Sequence, residues 1–201
     1  LLRHFAEGKL VNIMKMEDGE IITDASYESQ CQIKYFYGKE GMEDILAEIE
    51  TIAAPIIDKI IEGDILEIND VFPLLFFIAL QITRTEKDVV TFSHNTSKIF
   101  NEISELANMN PRYSPETFSS PVMHIRTASA RWPMLTDLKF GVLRNNTNVP
   151  FILSDNPVIR YNQYYRNDDI INQTGITCKG LIIILPIDLN TAIILFDNEV
   201  Y

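Results

Sequence analysis

Cysteine is scarce in this chain, with Cys31 and Cys178 the only two among 201 residues. Two thiols so far apart form neither a metal-ligand spacing nor a disulfide framework, so reduced, buried side chains in a cytoplasmic protein are expected. A single long-range disulfide is the other reading. Basic residues are also few, 17 against 28 acidic, which leaves a formal charge of −11. That balance opposes phosphate backbones and anionic membrane surfaces, and Arg126, Arg131, Lys139 and Arg144 are too scattered to make a basic patch. General nucleic-acid binding and membrane association are therefore not expected. The longest apolar run, Val71 to Ile82, falls well short of the ~20 residues that a membrane-spanning helix needs, and Gln81 and Arg84 close it with polar chemistry. It reads as a buried core helix. Residues Leu1 to Phe5 offer neither a starting Met nor a signal-peptide core, as expected of a domain trimmed at its ends.

Motifs for common cofactors are missing too. No Gly-x-Gly-x-x-Gly, Walker-type Gly-Lys-Ser/Thr, Cys-x-x-Cys or kinase signature occurs, so no cofactor is implied. His4, His94 and His124 sit in different segments without a His-Glu-x-x-His pairing, which gives a zinc site no support. Locally bonded or solvent-facing histidines are the expectation. A Pro-Asp…Glu-x-Lys nuclease core is not supported either, because Val158-Ile159-Arg160 carries no acidic-x-Lys pattern.

With 46% hydrophobic residues the chain can bury a large core as one domain over residues 1–201. Leu10 to Thr23 alternates and carries Asp18-Gly19, the pattern of a β-hairpin. Leu46, Ile49, Ile52, Ala53, Ile56, Ile57 and Ile60 recur at helical spacing, with Pro55 expected to kink the helix and Gly63 to stop it. Asn69-Asp70 is expected to cap a second helix reaching about Val90. A third covers Ser93 to Met109, and one more lies between Pro115 and Leu135. Strand-like runs then follow at Leu138–Leu143, Pro150–Leu153, Val158–Tyr161, Leu181–Leu185 and Ala192–Phe196. A short N-terminal hairpin, a middle of three to four helices and a mostly antiparallel C-terminal sheet make the class α+β.

Two places carry candidate chemistry. Gln81 and Arg84 lie three apart on one helical face, where a guanidinium and an amide can grip a carboxylate, a phosphate or a nucleotide edge. Equally, Arg84 can lock the helix to the sheet by pairing with Glu86, Asp88 or a buried carbonyl. Ser154-Asp155-Asn156-Pro157 redirects the chain between apolar runs and offers a general base, an oxygen ligand or hydrogen bonds to a substrate. The plainer explanation is an Asx-turn that caps its own backbone. The Ser lacks the Gly-x-Ser-x-Gly elbow of an α/β-hydrolase nucleophile. His124 and Arg126 precede Trp132 on a segment able to approach this turn.

Several landmarks also occur in one order. Leu2-Arg3-His4-Phe5 matches the end of a Tyr-Leu-x-x-Phe motif, Phe36-Tyr37 precedes the acidic helix with Glu43 and Glu50, and Gln81-Ile82-Thr83-Arg84-Thr85 matches Gln-x-x-Arg-Thr. Trp132, Phe151 to Pro157 and Leu185-Pro186 complete the series. Together they resemble the mainly bacterial family called domain of unknown function 4238, across nearly the whole chain. Members usually open with His-x-x-Pro-x-x-Tyr-Leu, whose His and Pro would precede Leu1, and the family brings no assigned activity. The expectation is a hydrolase-like or nuclease-like enzyme with Asp155, Arg84 and Gln81 as catalytic residues and Ser154, Asn156 and His124 as binding residues. Alternatives are a non-catalytic module binding a small anion, nucleotide or peptide, and a purely structural cluster in an interaction protein. The partner is thus an unidentified small ligand or protein, and the oligomeric state stays open.

Overall fold

A computed structural model describes residues 1–30, 42–83, 98, 101–102, 104–105, 121–166 and 173–201. A 3₁₀ turn at Leu2–His4 leads into strands β1 (Leu10–Met14) and β2 (Ile21–Ser26), which pair antiparallel with Met14 opposite Ile21. Asp18 Oδ1 accepts the Glu20 amide at 2.9 Å and Gly19 takes φ +74°, so the Asp-Gly pair turns the chain where its sequence places a hairpin. A short helix, α1 (Tyr27–Gln30), follows.

Helix α2 (Met42–Glu62) buries Leu46, Ala53, Ile56, Ile57 and Ile60 and turns Asp44, Glu48 and Glu50 outward. It continues as one helix through Pro55. Gly63 stops it at φ +88°, its amide donating to Ile60 O at 3.2 Å while the Asp64 amide donates to Lys59 O at 2.9 Å. This pair of bonds is the Schellman closure that a left-handed Gly permits.

Helix α3 (Ile68–Thr83) buries nearly every residue from Leu74 onward. The expected cap at Asn69-Asp70 is corrected by one turn. Asp70 is already the third helical residue, and its carboxylate reaches back to accept the Glu67 amide at 3.0 Å. It thus fills the acidic partner's place in a capping box, held from outside by Lys59 Nζ at 3.0 Å. The continuation expected to Val90 lies outside the described residues. Of the helix expected over Ser93–Met109, Lys98, Asn101, Glu102, Ser104 and Glu105 are described, and all five are helical.

Helix α4 (Pro121–Arg131) and a 3₁₀ turn at Trp132–Leu135 occupy the next predicted helix. Both pack on α3, with Phe72 meeting Trp132 edge-on at 5.9 Å between ring centres.

Strands β3 (Lys139–Arg144), β4 (Ile159–Asn162), β5 (Leu181–Pro186) and β6 (Thr191–Phe196) form an antiparallel sheet in the order β3-β6-β5-β4. The central pair β5 and β6 is almost wholly buried, and its apolar side chains join those of α2, α3 and α4 in one core. Pro150–Leu153 is corrected: it is not a strand. Phe151 N donates to Leu189 O at 2.8 Å, in the turn between β5 and β6, so the segment crosses the end of the sheet where no ladder is left to join. Ile152 is left exposed there. Hairpin, helical middle and C-terminal antiparallel sheet together make the fold α+β.

Candidate functional site

Gln81 sits near the end of α3, beside Phe77 and Ile78 of the preceding turn, both buried. It is 2% exposed, and its amide nitrogen has no hydrogen-bond partner among the described residues. That nitrogen carries two N–H donors, and an unpaired buried donor costs about 1–3 kcal/mol. An acceptor brought to it recovers the loss. Arg84, placed one turn further by the sequence, lies outside the described residues.

The Ser154–Pro157 turn is at the surface. Ser154 Oγ donates to Asn156 O at 2.7 Å, a bond within the turn itself. Asp155 is exposed on a bend, and Asn156 is half-buried. No hydrogen bond joins Gln81 to Asp155. His124 is a residue of α4, and the position of its side chain lies outside the described residues.

Two polar clusters escaped the sequence analysis. At the N-terminal turn, Arg3 Nη2 donates to Asp58 Oδ1 at 2.7 Å, and Arg3 Nε donates to His4 Nε2 at 3.2 Å. Burial and then the neighbouring guanidinium hold the His4 pKa below its ordinary value, although Asp58 and Asp188 pull the other way. His4 Nε2 also lies 3.3 Å from Asp58 Oδ1, and the three side chains anchor the N-terminal turn to α2.

The second cluster surrounds Asn162, the last residue of β4, which is 4% exposed. Its Nδ2 donates to Gln173 O and Lys179 O, both at 2.8 Å. Its Oδ1 accepts the Tyr164 amide at 3.1 Å and the Tyr165 amide at 3.4 Å. Gly180, at φ +76°, closes against it, and the Gly180 amide donates to Asp197 Oδ2 at 2.8 Å. That bond, with a second from the Glu199 amide at 2.9 Å, holds the Asp197 carboxyl below its usual range. The signal for this hub was an Asn at a strand end followed by an excursion closed by Gly, a pattern that favours side-chain-to-backbone bonds.

Among the described residues no group of three His, Cys, Asp or Glu side chains is arranged to hold a metal ion. Cys178 is a free, half-buried thiol, and Cys31 lies outside the described residues. No described helix is long and apolar enough to cross a membrane.

These features define an α+β protein in which, among the described residues, the three longer helices pack with an antiparallel sheet, a buried Asn is bonded at both ends of its amide and a buried Gln has an unpaired amide nitrogen. The chain belongs to the family described as "Protein of unknown function (DUF4238)", whose model matches residues 1–201. No curated protein and no solved structure matches it.

Proposed function

We propose that this protein binds a small ligand bearing a carboxylate or phosphate at the C-terminal end of α3. The observation carrying this reading is the buried Gln81 amide nitrogen without an acceptor among the described residues. Gln81 supplies directional donors, and Arg84, three residues on in the sequence, supplies the matching charge. Ser154, Asn156 and His124 belong to the same proposal as polar groups that border the ligand. The net charge of −11 supports a ligand held by a few directed donors over a broad phosphate-binding surface. Duplex DNA is accordingly not a ligand, and the free thiol of Cys178 fits a reducing, cytoplasmic setting.

Thermal shift with inorganic phosphate, citrate and AMP tests the proposal. A saturable rise in Tm with at least one of them, lost in both Gln81→Leu and Arg84→Ala, is expected. No rise with any probe, or an unchanged rise in Gln81→Leu, overturns it. A hydrolase or nuclease reading draws support from Asp155, an exposed carboxylate able to act as a general base. In that case Asp155→Asn keeps the ligand-induced rise and loses turnover of the bound phosphate ester.

A further inference from the structure

A surface hollow of about 340 Å³ lies against Phe140, Val142 and Arg144, and a second of about 250 Å³ lies against Leu138 and Phe140. These residues alternate along the β3 segment, so they share one face of it, and Phe140 borders both hollows. The two hollows therefore form one furrow, roughly 20 Å long at the ~3.3 Å rise of a strand. Its opposite wall is helical. Ile60 and Leu66 flank the first hollow, and Val71, Phe72 and Leu75 flank the second.

β3 is also an edge of the sheet, with β6 on one side and no described strand on the other. An apolar furrow beside an unpaired ladder is the arrangement that takes an extended segment by strand addition. Main-chain bonds hold such a segment, and the hollows receive its alternate side chains. Charge selects what enters. Glu62 at the end of α2, Asp64 and Glu67 in the turn to α3, and Asp137 at the head of β3 all stand exposed. Lys139 is exposed against them. Arg144 has its guanidinium turned to Ile60 O, Ile61 O and Thr191 Oγ1. A second copy of the chain brings the same −11.

We propose that the furrow along β3 docks an extended segment of a partner protein that alternates apolar residues with lysine or arginine. The probe is a capped nine-residue peptide alternating lysine with valine, titrated against the full chain beside its glutamate counterpart. The lysine peptide binds saturably, more weakly as salt rises, and loses at least tenfold in affinity on Val142→Lys with Tm unchanged. Phe72→Lys, on the opposite wall, gives the same loss and serves if the strand variant fails to fold. Equal binding of the glutamate peptide, binding of neither, or full affinity in both folded variants overturns the proposal. A concentration-dependent dimer that Val142→Lys abolishes assigns the furrow to a second copy and overturns the partner's identity.

Discussion

Asn162 and Gln81 are both primary amides buried to within a few per cent, yet the protein treats them oppositely. Asn162 bonds at both ends of its carboxamide, to two carbonyls and two amides, whereas the Gln81 nitrogen meets no acceptor among the described residues. A protein that closes one loop around a fully bonded Asn has the means to satisfy buried amides. An unpaired buried amide nitrogen calls for an explanation, and an acceptor supplied by a ligand is the one proposed for Gln81. The Asn162 hub is a structural clamp, and Gln81 is the donor on which the proposed ligand site rests.

The largest expected effect is at the clamp. Asn162→Ala orphans two carbonyls and two amides at once and is expected to destabilise by about 3 kcal/mol. For a chain of this size that corresponds to a Tm loss of roughly 6–12 °C. A loss of a degree or less shows the hub to be decorative. Gly180→Ala comes next, because a Cβ there lies 2.6 Å from Tyr164 Cβ and 2.9 Å from Asn162 Oδ1 at a φ of +76°. The expected loss is about 1–3 kcal/mol, read by chemical denaturation. An unchanged midpoint means that the Tyr164 loop yields freely.

A smaller effect follows from pH. The Asp197 carboxyl titrates below its unfolded value because the Gly180 amide, and then the Glu199 amide, bond its charged form. Its stabilisation is complete above the unfolded value of about 3.9 and is lost as pH falls through the lower folded value. Thermal melts taken downward from pH 5 therefore show an acid-induced decline that is shallower in Asp197→Asn. Parallel declines in the two proteins contradict the role assigned to those amide bonds.

Much of the fold was legible because its signals are local. Asp18-Gly19 turns the hairpin, Gly63 ends α2, and the apolar run closed by Gln81 is a buried helix, all settled by backbone preference and periodicity. Asp70 was placed one turn early because a capping box uses the same acidic residue at a later position, and only its bond to the Glu67 amide separates the two roles. Pro150–Leu153 looks like a strand by composition. A strand also needs a ladder, and among the described residues this segment's backbone meets the Leu189 carbonyl alone. The candidate site was legible at Gln81 as a polar residue in an apolar helix, while its missing acceptor is a property of packing. The Asn162 hub joins positions up to 35 residues apart, from Asn162 to Asp197, a closure that no local pattern encodes.

Replacing Gln81 by leucine, a side chain of similar size, and measuring Tm without ligand tests the comparison most directly. Removing an unpaired buried donor is expected to stabilise the fold by about 1–3 kcal/mol, a Tm gain of roughly 2–4 °C for each. A fall in Tm like that of Asn162→Ala would mean that Gln81 is bonded within the fold and would contradict its role as a ligand donor.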